Sequence, residues 1–95
     1  METIIASHPY FKVERKLCDS TQQIIVHDHV IQLYSTKIST FHREFLVSNV
    51  YDMSFRKMGA EDGILYLHTH QGVYPYTVKD NPVLFINAFK ELIST

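Results

Sequence analysis

The stretch GILYLHTHQGVYPYTVKDNPVLFINAFKELI, residues 63–93, decides the fold. Its first half alternates in steps of two. Leu65 and Leu67 oppose Ile64 and Tyr66, Thr69 to Gly72 make a tight turn, and a second strand runs from Val73 to Val78. Such alternation marks half-buried strands. Pro75 cannot donate to a ladder, so its strand is expected at a sheet edge or with a bulge. The period then changes. Asn81 is expected as a helix N-cap and Pro82 as the first helical residue. Phe85, Ile86, Phe89, Leu92 and Ile93 fall on one helical stripe, with Asn87, Lys90 and Glu91 outside it. A helix of about a dozen residues is not stable alone in water. It must cover an apolar surface, and the strands supply one.

Working back toward the N-terminus, the chain reads as further short strands. Tyr10 to Leu17 alternates, with Phe11 and Val13 opposing Lys12, Glu14 and Lys16. Cys18 to Thr21 is a polar turn, and Gln22 to His27 is a β-branched run. Asp28 reads as the turn before a next strand, His29 to Ser35; Thr36 to Thr40 reads as weakly structured. Phe41 to Val47 and Val50 to Lys57 alternate again, the latter with Tyr51, Met53 and Phe55 on one side. Met58 to Gly63 is a turn with glycines and the acids Glu61 and Asp62.

The chain has 95 residues, 45% of them hydrophobic and 20% charged, with a formal net charge of -1. That is one domain of ordinary globular composition. The near-neutral balance argues against a nucleic-acid binder, which shows a basic stripe. No apolar run approaches the ~20 residues of a membrane span. Met1 to Pro9 lacks the basic start of a signal peptide and reads as an N-terminal extension, residues 1–9, before a domain at 10–95. Cys18 is the only cysteine, so no intrachain disulfide forms, and a cytoplasmic protein with a reduced thiol is expected.

About seven short antiparallel strands followed by one amphipathic helix tend to close into a barrel or sandwich. This order resembles the pleckstrin-homology (PH) superfold, and in particular the short stand-alone bacterial PH-like domains. Residues 43–57 are similar to their central strand pair. Gly63 to Ile93 is similar to their last hairpin, followed by Lys79-Asp80-Asn81-Pro82 and the closing helix. The resemblance implies a mainly β, PH-like barrel of two packed sheets closed by the C-terminal α-helix.

It also invites a lipid reading, since phosphoinositide-binding members grip phosphates with bases at the first hairpin. Lys12, Arg15 and Lys16 lie on the first strand here, but the turn carries Asp19 and the next run, Gln22 to Val26, has no base. Phospholipid headgroup binding is therefore the alternative rather than the expectation.

Six histidines occur, four of them as His27-Asp28-His29 and His68-Thr69-His70. Imidazoles at i and i+2 of a strand share a face and can reach one metal, as in cupin-like sites. Both pairs read as turn-flanking, where that geometry fails, so the metal reading comes third and no cofactor is expected. Protonating all six would move the formal charge from -1 to +5 (-1 plus 6). A nucleophile with a base, a Gly-rich phosphate loop and a zinc-protease motif are all missing, so the chain is expected not to be an enzyme.

Tyrosine is enriched at interfaces, and Tyr74 and Tyr76 flank Pro75 on the expected edge strand. PH-like domains that bind peptides often take a strand beside such an edge, which is β-augmentation. Tyr74, Pro75 and Tyr76 are thus the candidate partner-binding residues. The competing reading puts Tyr74, Tyr76 and Val78 in the core beneath Phe85 and Phe89, with Val73, Pro75 and Thr77 outside. The expected role is non-enzymatic binding to another protein or to itself, a homodimer included.

Overall fold

The computed structural model describes residues 3–60 and 62–94. The strands are β1 (Ala6–Cys18), β2 (Thr21–Leu33), β3 (Lys37–Ser39), β4 (Glu44–Leu46), β5 (Val50–Met58), β6 (Asp62–Thr69) and β7 (Gly72–Val78). A short 3-10 turn, Val47–Asn49, joins β4 to β5, and the helix α1 (Val83–Ile93) ends the fold. All strands belong to one seven-stranded antiparallel sheet in the order β4-β3-β2-β1-β7-β6-β5. The mainly β class with a C-terminal helix matches the sequence reading. Two packed sheets and a closed barrel do not. The end strands β4 and β5 are neighbours in the chain but share no ladder. Among the described residues each has one strand partner, and β4 is three residues long.

The core lies on one face of the sheet under α1. Tyr10, Ile31, Leu33, Ile38 and Phe45 meet Val50, Met53, Leu65, Leu67, Tyr76 and Val78, and Phe85 and Phe89 of α1 cap them. Large aromatics fill such a small core because each removes much apolar surface from water. The helix begins one residue later than expected: Pro82 takes the cap position, and no side chain caps the first turn. Proline suits that place because the first N–H groups of a helix lack intrahelical partners anyway.

Three local features shape the ladders. A β-bulge between Val50 and Asp52 leaves Tyr51 without a β6 partner. It lets Val50 and Met53 both face the core while Tyr51 turns outward, the usual effect of one extra residue in a ladder. Gly63 lies directly under the Phe55 ring, where a Cβ would overlap the ring carbons. Pro75 is not on an end strand, since β7 sits between β6 and β1. However, β7 pairs with β1 only at Phe11↔Thr77, so the strand is unpaired on that side beside Pro75.

The largest departure is in β2. Asp28 is not a turn residue; β2 runs unbroken for 13 residues and pairs with all 13 of β1. Ala6 to Pro9 belong to this ladder rather than to an extension. Beyond Phe11 the two strands leave the sheet as a free two-stranded arm. The arm stretches the molecule to 54 × 31 × 25 Å. Its radius of gyration is 14.9 Å, against about 12 Å for a compact chain of this length.

Candidate functional site

The arm turns at Asp19 and Ser20, both with positive φ (50° and 66°). Two consecutive left-handed residues make a type I′ turn, whose twist matches that of the strands it joins. Cys18 sits at the tip, exposed and free. Because directly opposed residues share a face, the register sorts the arm into two surfaces. The surface continuing from the core carries Lys12, Glu14 and Lys16 opposite His27, Ile25 and Gln23. The other carries Val13, Arg15 and Leu17 opposite Val26, Ile24 and Gln22.

That second surface is open and mainly aliphatic, with Arg15 and Gln22 set between its aliphatic side chains. Val13 is 49% exposed, Val26 48%, Ile24 63% and Leu17 79%. Val30, exposed too, extends it toward the body. Phe11 is the one large ring along it, and it is covered by Lys79, whose Nζ lies 5.3 Å from the ring centre. Among the described residues, the aliphatics beyond it stay exposed. Contiguous exposed apolar surface of this kind usually marks an interaction site. Sequence reasoning missed it because a turn placed at Asp28 made β2 two short strands. The β-branched residues on both sides of Asp28, Ile24 to Val26 and then Val30 and Ile31, were the signal available.

The first surface carries a column of rings running out of the core. Tyr76 packs edge-on against Tyr10 at 5.0 Å, and Tyr10 lies 5.4 Å from His29. His29 stacks on Phe41 at 4.4 Å, and Phe41 meets His42 at 4.6 Å. His27 stacks parallel to His29 at 6.4 Å. His27, His29, Phe41 and His42, with Lys12, Val13 and Glu14, line a shallow groove of about 510 Å³. His27 and His29 are therefore mid-strand and on one face, contrary to the turn-flanking expectation. Phe41 and His42 reach them from the β3–β4 loop, a placement that no local sequence pattern signals.

The second histidine pair is elsewhere. His68 lies on β6, on the face away from the core, with its Nε2 2.7 Å from Ser54 Oγ. His70 follows in the β6–β7 turn, 5.5 Å from the Tyr51 ring. The fold does not bring the two pairs together. Among the described residues, no group of three or more His, Cys, Asp or Glu side chains is placed to hold a metal ion. His27 instead meets Glu14, with Nε2 to Oε1 at 3.2 Å.

The bases do not converge either. Arg15 is on the opposite surface from Lys12 and Lys16, and Glu14 stands between those lysines, 3.9 Å from the Lys16 ammonium. The acid Glu61 of the β5–β6 turn lies outside the described residues. Among the described residues, no helix is long and apolar enough to cross a membrane.

Of the edge-strand trio, Tyr76 is only 7% exposed and is core. Burial pushes its phenol pKa above the ordinary value, partly offset by a hydrogen bond with Thr40. Tyr74 is half-buried, edge-on to Phe45 at 5.0 Å and beneath the Arg43 guanidinium at 4.7 Å. Pro75 alone is exposed. The trio does not form a contact patch, because alternation sends its tyrosines inward and only Pro75 outward.

Compared with known proteins, the chain matches no family model, no curated protein and no solved structure.

Proposed function

We propose that this domain is a non-enzymatic interaction module and that the β1–β2 arm, rather than the Tyr74 to Tyr76 strand, is its contact element. The observation that carries this reading is the open aliphatic surface of Val13, Leu17, Ile24 and Val26 on a hairpin that leaves the sheet. A two-stranded hairpin alone in water is marginal; a third strand or a packed face is what stabilises it. A partner on the arm would supply one or the other. The order of seven antiparallel strands and a C-terminal helix is what a likeness to stand-alone bacterial PH-like domains rests on. Separation of the bases on the arm speaks for a protein partner over a phospholipid headgroup.

The test is a paired capture experiment. The wild-type chain and the double variant Val13→Ser/Leu17→Ser are used as bait against an extract of the source cells, and retained proteins are identified by mass spectrometry. Both residues are exposed, so the variant should melt within about 0.5 kcal/mol of the wild type. Proteins retained by the wild type and lost from the variant support the arm. An identical set on both baits, retained copies of this chain aside, overturns it.

A further inference from the structure

We infer that the arm's partner is a second copy of this chain, joined by antiparallel pairing of the two β2 outer edges about a two-fold axis at Ile25. This inference rests on the arm being the contact element, and adds the partner and the register.

The hydrogen-bonding phase of the arm fixes which backbone groups are free. In a hairpin with a two-residue type I′ loop, the flanking residues exchange both backbone hydrogen bonds, and bonded pairs alternate from there. Here those residues are Cys18 and Thr21. Odd-numbered residues of β2 therefore bond to β1, and even-numbered ones turn their N–H and C=O outward. The far end of the strand has the same phase, since the Tyr34 N–H donates outward to the Lys37 carbonyl of β3 at 2.8 Å. β3 pairs only with Gln32 and Leu33. Among the described residues no strand meets the outward groups of Gln22, Ile24, Val26, Asp28 and Val30.

The arm's two edges are guarded differently. Charged side chains on an edge strand discourage pairing. β1 carries Lys12, Glu14, Arg15 and Lys16 along its free part, whereas Gln22-Gln23-Ile24-Ile25-Val26 of β2 carries no charge. The β2 edge is also a good match for itself. With Ile25 opposite Ile25 of the second copy, Ile24 meets Val26 and Gln22 meets Asp28. Outward groups then face outward groups, and an amide faces a carboxylate. Moving the register by two residues sets Ile24 against Asp28 or Gln22 against Val26, which loses the match. A two-fold axis normal to the sheet keeps each face on its own side, so the aliphatic surface continues across four strands. That converts a marginal hairpin into a sheet of stable width.

Sedimentation velocity over a concentration series tests the inference, together with amide exchange by NMR. The wild type should sediment at twice the chain mass at high concentration, and the Ile24 and Val26 amides should exchange more slowly as concentration rises. Ile24→Pro removes an outward N–H, so it leaves the β1–β2 bonds intact and should weaken the dimer at least about tenfold. Ile25→Lys and Ile25→Glu place like charges opposite each other and should each give monomers, while an equimolar mixture should restore a dimer. Circular dichroism verifies that each variant is folded. A wild-type monomer at every concentration up to ~1 mM, far above the range of a stable dimer, overturns self-pairing. The Val13→Ser/Leu17→Ser capture still decides the arm by itself. A dimer that survives all three substitutions overturns the β2 edge, and a charge mixture that stays monomeric overturns the register.

Discussion

The backbone N–H of Phe41 donates to the Tyr10 hydroxyl at 3.1 Å, across 31 residues of chain. Tyr10 is 2% exposed at the point where the arm leaves the body, and Phe41 is in the β3–β4 loop. This one bond ties the loop to the base of the arm and sets Phe41 against His29. Tyr10→Phe keeps the ring but removes the acceptor. It should cost about 1 kcal/mol in denaturant unfolding and speed exchange of the Phe41 amide. Unchanged Phe41 exchange would mean that the loop is held by the ring stack alone.

The closing helix is the second point of leverage. Phe89 is fully buried at its centre. Phe89→Ala should destabilise the domain by ~3–5 kcal/mol, a large part of the ~5–15 kcal/mol typical of a domain. Thermal melting by circular dichroism measures it, and an unshifted midpoint would place the helix off the core.

The turn at the arm tip stores a small cost. Ser20 is left-handed at φ 66°, a conformation that costs a non-glycine residue about 1 kcal/mol. Ser20→Gly should remove much of it and slow amide exchange along Lys16 to Gln23 by about fivefold, with the body unaffected. Faster arm exchange in the variant would contradict the turn type.

Alkaline pH should expose the buried phenol. Burial raises the Tyr76 pKa in the folded chain. Below the ordinary phenol value of about 10 the group is neutral folded and unfolded, so it confers no pH dependence. Above it the unfolded chain loses the proton first, so the folded state loses stability as pH rises toward the raised folded value. Wild-type stability should thus fall relative to Tyr76→Phe above about pH 10, and parallel curves for the two would place the phenol in solvent.

Much of the fold was legible in residues 63–93. The β6–β7 hairpin is local, its Gly72 turn is short, and the helical stripe of Phe85 and Phe89 needs no distant partner to be recognised. The core side of Tyr76 and Val78 followed from the same alternation. The reading failed where the deciding contact was remote. Asp28 looks like a turn residue by composition, yet its place opposite Phe11 depends on a register fixed at the arm tip, nine residues away. Tyr51 alternates as a core residue in sequence, and only the mismatch between β5 and β6 turns it out.

The sequence by itself determined the class of this protein, because alternation and helical period are local properties of the chain. It also determined the missing disulfide and near-zero charge, because those are counts. The tertiary structure decided which histidines meet, that two packed sheets are a single sheet, and that 13-residue strands outrun the body to form an arm. Those outcomes depend on strand register and on which strand finds which neighbour. Both are set by the summed burial of residues far apart in the chain, which no local window contains.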